Sequence, residues 1–243
     1  MGKGVFITGT NTGVGKTFIA GGLARVWYER GKRVGVMKPV ESGCERLNGG
    51  LQPHDALFLK KMSSSIEDLD LINPYRLEQP LAPSIAAELE GVEVDLKKIK
   101  KNYQQLELRN DLVLVEGVGG LLSPLYENFT NADLIRILGI PVVVIAGNGL
   151  GTINHTLLTV KCALTGGLTV LGIIINNPGN FPDASAETNP QIIEKLAGLP
   201  LLGVIPNLSS LERKEPASIA TLISRHVDTD WVGEMCSAEK CEI

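Results

Sequence analysis

The stretch Val5-Phe6-Ile7-Thr8-Gly9-Thr10-Asn11-Thr12-Gly13-Val14-Gly15-Lys16-Thr17 runs from an apolar, strand-like segment through a glycine-rich turn into a helical pattern. A strand, a glycine turn and Gly-Lys-Thr at a helix start are the context of a phosphate-binding P-loop. Backbone N–H groups of such a turn and of the helix N-terminus converge on an anion. Gly15 lets the backbone come close, Lys16 sets a cation against the β- and γ-phosphates, and the Thr17 hydroxyl can ligate Mg²⁺. The strict spacing G-x-x-x-x-G-K-[ST] requires glycine at position 10, where this chain has Thr10, so the loop is a variant.

Outward from this loop, short apolar runs alternate with helical patterns. Strands are predicted at Gly4–Thr8, Arg33–Pro39, Asp111–Glu116, Pro141–Ala146, Val170–Asn176 and Leu201–Ile205. The later runs are almost continuously apolar, which points to strands buried on both faces, as in a parallel sheet. Helices are predicted at Lys16–Arg30, Asp55–Met62, Pro83–Glu90, Leu96–Leu108 (with Asp95 as N-cap), Asn131–Leu138, Ile153–Thr165, Pro190–Leu196 and Ala217–His226. Asn189-Pro190 reads as an N-cap and first-turn pair. The alternation implies one α/β domain over residues 1–227, an open, mostly parallel sheet with helices on both faces. The polar segment 228–243 reads as a loosely ordered tail. Ligands of such a sheet bind beyond the carboxyl ends of the strands, which directs attention to loops 9–17, 38–55, 116–123, 147–155, 176–182 and 206–212.

The chain has 243 residues, 44% hydrophobic and 21% charged, with a net charge of −4. Disorder over most of the length is excluded. The acidic balance and the 5% aromatic content argue against a nucleic-acid coat. No apolar run reaches the roughly 20 residues needed to cross a bilayer, and no signal peptide opens the sequence. Cys44, Cys162, Cys236 and Cys241 have neither disulfide-framework nor metal spacing, so four reduced thiols in a cytoplasmic protein are expected. His54, His155 and His226 are scattered.

A Mg-nucleotide site needs carboxylates. Glu116 closes the apolar strand and is followed by Gly117-Val118-Gly119-Gly120, where a second acid beside a phosphate loop belongs. Asp55 begins a helix, and its spacing alone favours a helix cap slightly over a metal ligand.

With these pieces in place, the chain resembles the dethiobiotin synthetase family. The resemblance rests on Thr8-Gly9-Thr10-Asn11-Thr12 with Val14-Gly15-Lys16-Thr17, on Lys38-Pro39-Val40 with Ser42-Gly43, and on Asp55-Ala56 and Asn73-Pro74-Tyr75. It continues through Val113-Leu114-Val115-Glu116-Gly117 with Gly119-Gly120, Leu150-Gly151 with Ile153-Asn154-His155, Asn176, and Leu201-Leu202-Gly203 with Ile205-Pro206. These pieces run in order from residue 5 to about 207. The resemblance implies a P-loop NTPase fold and an ATP-dependent ring closure of 7,8-diaminononanoate with CO₂. A carbamate forms on one amine, its oxygen attacks the γ-phosphate, and the second amine closes the cyclic urea with release of phosphate.

On that resemblance, Lys16 and Lys38 are the expected catalytic cations, because carbamate, triphosphate and anhydride are all anionic. Thr17, Asp55 and Glu116 would hold Mg²⁺ through hard oxygens. Nucleotide contacts are expected at Gly13, Val14, Gly15, Lys16, Thr17, Phe18, Asp55, Glu116, Gly117, Val118 and Gly119. Asn176 and Asn177 with Ile205, Pro206 and Asn207 would enclose adenine, although Asn176 also reads as a turn residue. Thr12, Lys38 and Ser42 would orient the amine or carbamate end. Gly151, Thr152, Ile153 and Asn154 would receive the tail carboxylate from the neighbouring subunit of a homodimer, although Gly151 also reads as a simple turn glycine. Gly13 stands where relatives often carry an acid, and Asn207 where large or variable residues occur. The competing reading is a partition-type P-loop ATPase switch acting through protein partners. Such switches carry a second lysine in the loop, at the position held here by Asn11. No nucleic-acid or membrane partner is expected.

Overall fold

The computed structural model describes residues 3–47, 49–177, 185–207 and 215–237. The expected parallel sheet is present, with β1 (Gly4–Gly9), β2 (Val34–Met37), β7 (Leu112–Glu116), β10 (Val142–Gly147), β11 (Val170–Asn176) and β12 (Leu201–Ile205) in the order β12-β11-β10-β1-β7-β2. Every residue of β1, β2, β7 and β11 is buried, as a strand covered on both faces requires. Alternation along β1 divides the core in two. Val5 and Ile7 face one layer, packed with α1 (Lys16–Glu29), α2 (His54–Ser63), α9 (Pro216–His226) and α10 (Thr229–Ser237). Phe6 faces the other, with α4 (Pro83–Glu90), α5 (Leu96–Arg109), α6 (Asn131–Leu138), α7 (Thr152–Thr165) and α8 (Ser185–Ala197).

The register aligns the strand ends that carry the loops. Ile7 of β1 lies opposite Glu116 of β7, and Val115 lies opposite Met37 at the end of β2. The phosphate loop, Glu116 and Lys38 therefore leave three neighbouring strands at one edge of the sheet. Asn176 and Ile205 end β11 and β12 on the other side of β1. Asp95 caps α5 as expected, accepting from the Lys97 N–H at 2.7 Å.

Several small elements escape the hydrophobic pattern, because two- or three-residue pairs have no period to read. They are β3 (Val40–Glu41) paired with β6 (Tyr75–Arg76), the hairpin of β4 (Glu45–Leu47) and β5 (Gly50–Gln52), the pair β8 (Pro124–Tyr126) and β9 (Phe129–Thr130), and the short helix α3 (Leu69–Ile72). The stretch 178–182 of the loop after β11, and 208–212 of the loop after β12, lie outside the described residues.

Two expectations are corrected. Helix α8 begins at Ser185, so Asn189 and Pro190 lie inside it rather than at its start. A proline there removes the bond to the carbonyl four residues back. That carbonyl, on Ala186, accepts instead from Asn148 Nδ2 at 3.0 Å, so the helix tolerates the proline.

The segment after residue 227 is not loose as far as Ser237. It forms α10, with Val232 fully buried and Cys236 2% exposed on one stripe four residues apart. Trp27 Nε1 donates to the Thr229 carbonyl at 3.1 Å, and Asp230 pairs with Arg30. Interleaved Asp230 and Glu234 hide this narrow stripe in the sequence. Residues 238–243, with Cys241, lie outside the described residues. We expect Val232→Ala to lower the unfolding free energy by about 2 kcal/mol in urea denaturation, where a loose tail would give no change.

Candidate active site

Local chemistry first shapes the phosphate loop. Gly15 caps α1 in the left-handed region at φ 93°, and a Cβ there would lie 2.2 Å from Asn176 Nδ2. Glycine is thus required twice, for backbone conformation and for space. Asn176 Nδ2 donates to the Val14 carbonyl at 2.8 Å, fastening the loop to the end of β11. Lys16 Nζ donates to the Asn11 carbonyl at 3.1 Å. Gly13 has nothing within 4 Å of where a side chain would begin, so its left-handed backbone (φ 79°), not space, is what favours glycine there.

Beside the loop, Lys38 is 2% exposed. Its Nζ donates to Asp55 Oδ2 at 2.7 Å and to Glu116 Oε1 at 2.6 Å. The Thr17 hydroxyl donates to the same Glu116 oxygen at 2.8 Å. Burial is the largest single influence on Lys38 and works against its charge. The Glu116 and Asp55 carboxylates together outweigh it and hold the pKa above the usual lysine value. Burial also opposes the Asp55 carboxylate, but Lys38 and Thr17 hold its pKa below the usual value. Burial pushes Glu116 up, with Asp55 adding to the effect. Lys16 has no direct carboxylate partner. Burial, then the Lys38 charge, lowers it to about 8.

These side chains line one cavity of about 750 Å³, together with Thr12, Ser42, Val118 and Gly119. Pro80, Leu81, Ala82 and Pro83 give it an apolar flank. Lys38, Thr17, Asp55 and Glu116 thus meet from four separate segments. Among the described residues no group of three His, Cys, Asp or Glu is gathered that could hold a metal. The candidate set for Mg²⁺ is instead two carboxylates and a hydroxyl, in keeping with an ion that binds through one or two carboxylates plus phosphates. Glu116 Oε2 is buried without a hydrogen-bond partner, the kind of oxygen that a cation would satisfy. The residues fit Mg²⁺.

Other candidates fall elsewhere. Asp55 is not the cap of its helix. Pro53 holds the N-cap position, and the N–H groups of Asp55 and Ala56 are answered by Glu41 Oε1 and Oε2 at 2.9 and 3.0 Å. Ile205 is wholly buried in the core, so only Pro206 and Asn207 reach outward at the end of β12. Gly117 is buried over Phe6, and Phe18 packs on the core below the loop. Gly151 (φ 89°) caps α7 and Thr152 Oγ1 donates to the Gly147 carbonyl. Ile153 packs on the core and Asn154 is exposed. The 150–155 turn borders a second cavity, shared with Asn177, on the other side of the phosphate loop; only Thr12 and Gly13 line both cavities.

Three supporting residues escaped the sequence reading as functional groups. Glu41 holds the start of α2. Asn73, wholly buried, donates to the Lys38 carbonyl at 2.6 Å and fixes that residue's backbone. Asn131 Nδ2 donates to the Val118 and Gly120 carbonyls, each at 2.7 Å, and shapes the loop after Glu116. Asn73 carried a signal, standing in a motif of the resemblance. Glu41 and Asn131 carried none, because each acts across the fold.

A variant phosphate loop with two buried lysines, at the carboxyl edge of a parallel sheet, defines a P-loop nucleotide-binding protein. The comparisons agree. Residues 3–215 match a family described as an AAA domain. The chain is 43% identical over 230 residues to the ATP-dependent dethiobiotin synthetase BioD of Bacillus licheniformis, covering 95% of each chain. It is 40% identical over 222 residues to that of Thermodesulfovibrio yellowstonii, covering 88% of this chain and 92% of the relative. Among solved structures it resembles the MinD cell division protein of Aquifex aeolicus (TM-score 0.55, 13% identity, 96% and 94% of the two chains). It also resembles a ParA family ATPase from Chlorobium tepidum (TM-score 0.54, 12% identity, 96% and 95%). At such identity these two share the fold alone. The chain belongs to the ATP-dependent dethiobiotin synthetase family.

The lowered Lys16 pKa has a measurable consequence. Phosphate oxygens favour the ammonium and raise the pKa from its value of about 8 in the free protein. Nucleotide binding should therefore take up a fraction of a proton per site at pH 8 to 9, and none through this group at pH 6. Calorimetric titrations in buffers of different ionisation enthalpy measure that number directly.

Proposed function

We propose that this chain catalyses the ATP-dependent closure of 7,8-diaminononanoate with CO₂ to dethiobiotin, ADP and phosphate, a step of biotin biosynthesis. The observation that carries the reading is the buried Lys38 ammonium between Asp55 and Glu116 beside the phosphate loop, in a chain of this family.

One amine of the substrate adds to CO₂ and loses a proton, giving a carbamate. A carbamate oxygen then attacks the γ-phosphorus and ADP leaves. The second amine attacks the carbonyl carbon of the resulting anhydride, and phosphate departs as the cyclic urea closes. Each species is anionic, so the site's task is fixed positive charge rather than a proton relay. Lys16 and the loop N–H groups neutralise the phosphate oxygens, and Lys38 faces the reacting carbamate and γ-phosphoryl oxygens. Thr12 and Ser42 orient the amine end, while Pro80–Pro83 and Val118 flank the aliphatic chain. Thr17, Asp55 and Glu116 would hold Mg²⁺, which when bound neutralises charge across the β- and γ-phosphate oxygens.

Adenine is read at the ends of β11 and β12. Asn176 uses one Nδ2 hydrogen on the Val14 carbonyl, which leaves its second N–H and its carbonyl oxygen for the base, a donor and an acceptor that match adenine's edge. Asn177, Pro206 and Asn207 border that region. Three free cysteines among the described residues suit a reducing, cytoplasmic setting, and no helix among them is long and apolar enough to cross a membrane.

Product formation should require the diamine, CO₂ and ATP together. ATP turnover indifferent to the diamine would instead favour the partition-type switch. Lys38→Ala should lower the rate of dethiobiotin formation on the order of 10²–10³, and near-normal turnover in that variant would remove Lys38 from the mechanism.

The working unit proposed is a homodimer that completes the substrate site. In the Gly151–Asn154 turn the Thr152 N–H is taken by the Gly149 carbonyl at 3.0 Å, which leaves the N–H groups of Ile153 and Asn154 in the first turn of α7 to suit a carboxylate. Within one chain, however, the turn borders the cavity on the wrong side of the phosphate loop. Leu150 is 93% exposed and Leu158 59%, an apolar surface that a second copy would cover. Light scattering should give twice 26.0 kDa. Gly151→Val should raise the diamine KM about tenfold or more, the worth of one or two hydrogen bonds to a charged group, with little change for ATP. A fully active monomer contradicts the shared site.

A further inference from the structure

Glu41 is a buried carboxylate, 6% exposed, whose two oxygens are both spent on backbone N–H groups. Its own backbone is held in β3. The Glu41 carbonyl accepts from the Leu77 N–H at 2.8 Å, and the residue is paired with Arg76 of β6. From there the side chain crosses to the first turn of α2. The N–H groups it takes, on Asp55 and Ala56, are those that an N-cap side chain ordinarily satisfies. The residue at the N-cap is Pro53, in extended conformation (φ −84°, ψ 98°), and it offers no side-chain acceptor.

A serine at position 53 would cap α2 locally and without burying a charge. A buried carboxylate is costly unless fully answered, here by two N–H groups at the positive end of a helix. What the longer route adds is a tie between two segments. Glu41 lies three residues beyond Lys38 on one segment, and its oxygens hold the backbone of Asp55 on the other. The two ends of the 2.7 Å Lys38–Asp55 ion pair are therefore fixed to each other through Glu41.

We propose that Glu41 is a positioning residue, tying the strand that follows Lys38 to the start of α2 so that Asp55 is presented to the metal and to Lys38 in one geometry. The proposal rests on the reading of Asp55 as a Mg²⁺ ligand.

The test uses Glu41→Ala, Glu41→Gln, Asp55→Asn and the double variant Glu41→Ala/Pro53→Ser. Mn²⁺ affinity is measured by electron paramagnetic resonance in the complex with a non-hydrolysable ATP analogue. Alongside it run the Mg²⁺ half-saturation of dethiobiotin formation and thermal unfolding. Glu41→Ala should weaken metal binding roughly tenfold to a hundredfold, as loss of a group that orients a metal ligand does. Its turnover at saturating Mg²⁺ should be largely recovered. Glu41→Gln, which keeps one acceptor, should fall between and serves if the alanine variant does not fold.

Adding Pro53→Ser should restore thermal stability and leave metal binding weak. If the serine restores both, Glu41 is only a cap and the proposal fails. It fails equally if the Glu41 variants bind metal normally while Asp55→Asn does not. If Asp55→Asn binds metal normally, it is the reading of Asp55 that is lost.

Discussion

Taking a lysine ammonium out of water is costly unless anionic partners answer it. Lys38, 2% exposed, therefore imposes the arrangement of its surroundings. Its partners come from elements far apart in sequence, Asp55 at the start of α2 and Glu116 at the end of β7. They can reach it only because β2 and β7 are parallel neighbours in matching register and because α2 packs over the same edge. Thr17, from the first turn of α1, bonds the same Glu116 oxygen and joins the phosphate loop to the group. The ion pair thus links β2, β7, α1 and α2; close by, burial and then the Lys38 charge lower Lys16, while Glu116 and Asp55 oppose them.

The order of strands separates the tasks of the site. With β1 near the centre, the loop after it faces the lysine and carboxylate cluster on one side and the ends of β11 and β12 on the other. On the proposed function, the reacting end and the base-reading end are set apart by the sheet itself. Asn176 couples the two sides, since its bond to Val14 ties the phosphate loop to the end of β11. The same fold serves the MinD and ParA proteins at 12–13% identity, so the sheet does not choose the chemistry. On the proposed function, that choice lies in residues at the strand ends, such as Lys38 and Ser42, rather than in the sheet.

Much of the fold could be read from the chain. Continuous apolar runs marked the six parallel strands, because strands covered on both faces can carry little else. Helices α1, α2, α4 to α7 and α9 announced themselves by period, cap and breaker, since those signals are local. Failures occurred where local chemistry is answered from a distance. Pro190 reads as a helix start, but Asn148 satisfies the carbonyl it orphans and the helix runs through. Asp55 by spacing alone leans to a cap, but Glu41 takes the capping task and leaves the Asp55 carboxylate to Lys38. The narrow stripe of Val232 and Cys236 is masked by charged neighbours and seen only against Trp27.

The sequence by itself determined the sheet, the phosphate loop and the identity of the charged residues, because hydrophobic period, glycine placement and residue chemistry are properties of short segments. Only the tertiary structure decided which of those charges meet. It buried Lys38 between two carboxylates, set Ile205 into the core, handed the α2 cap to Glu41, and put the Gly151 turn across the phosphate loop from the lysine cavity. Such pairings depend on strand order and register, which no segment carries alone, and their energies depend on burial, which exists only once the chain has closed around them.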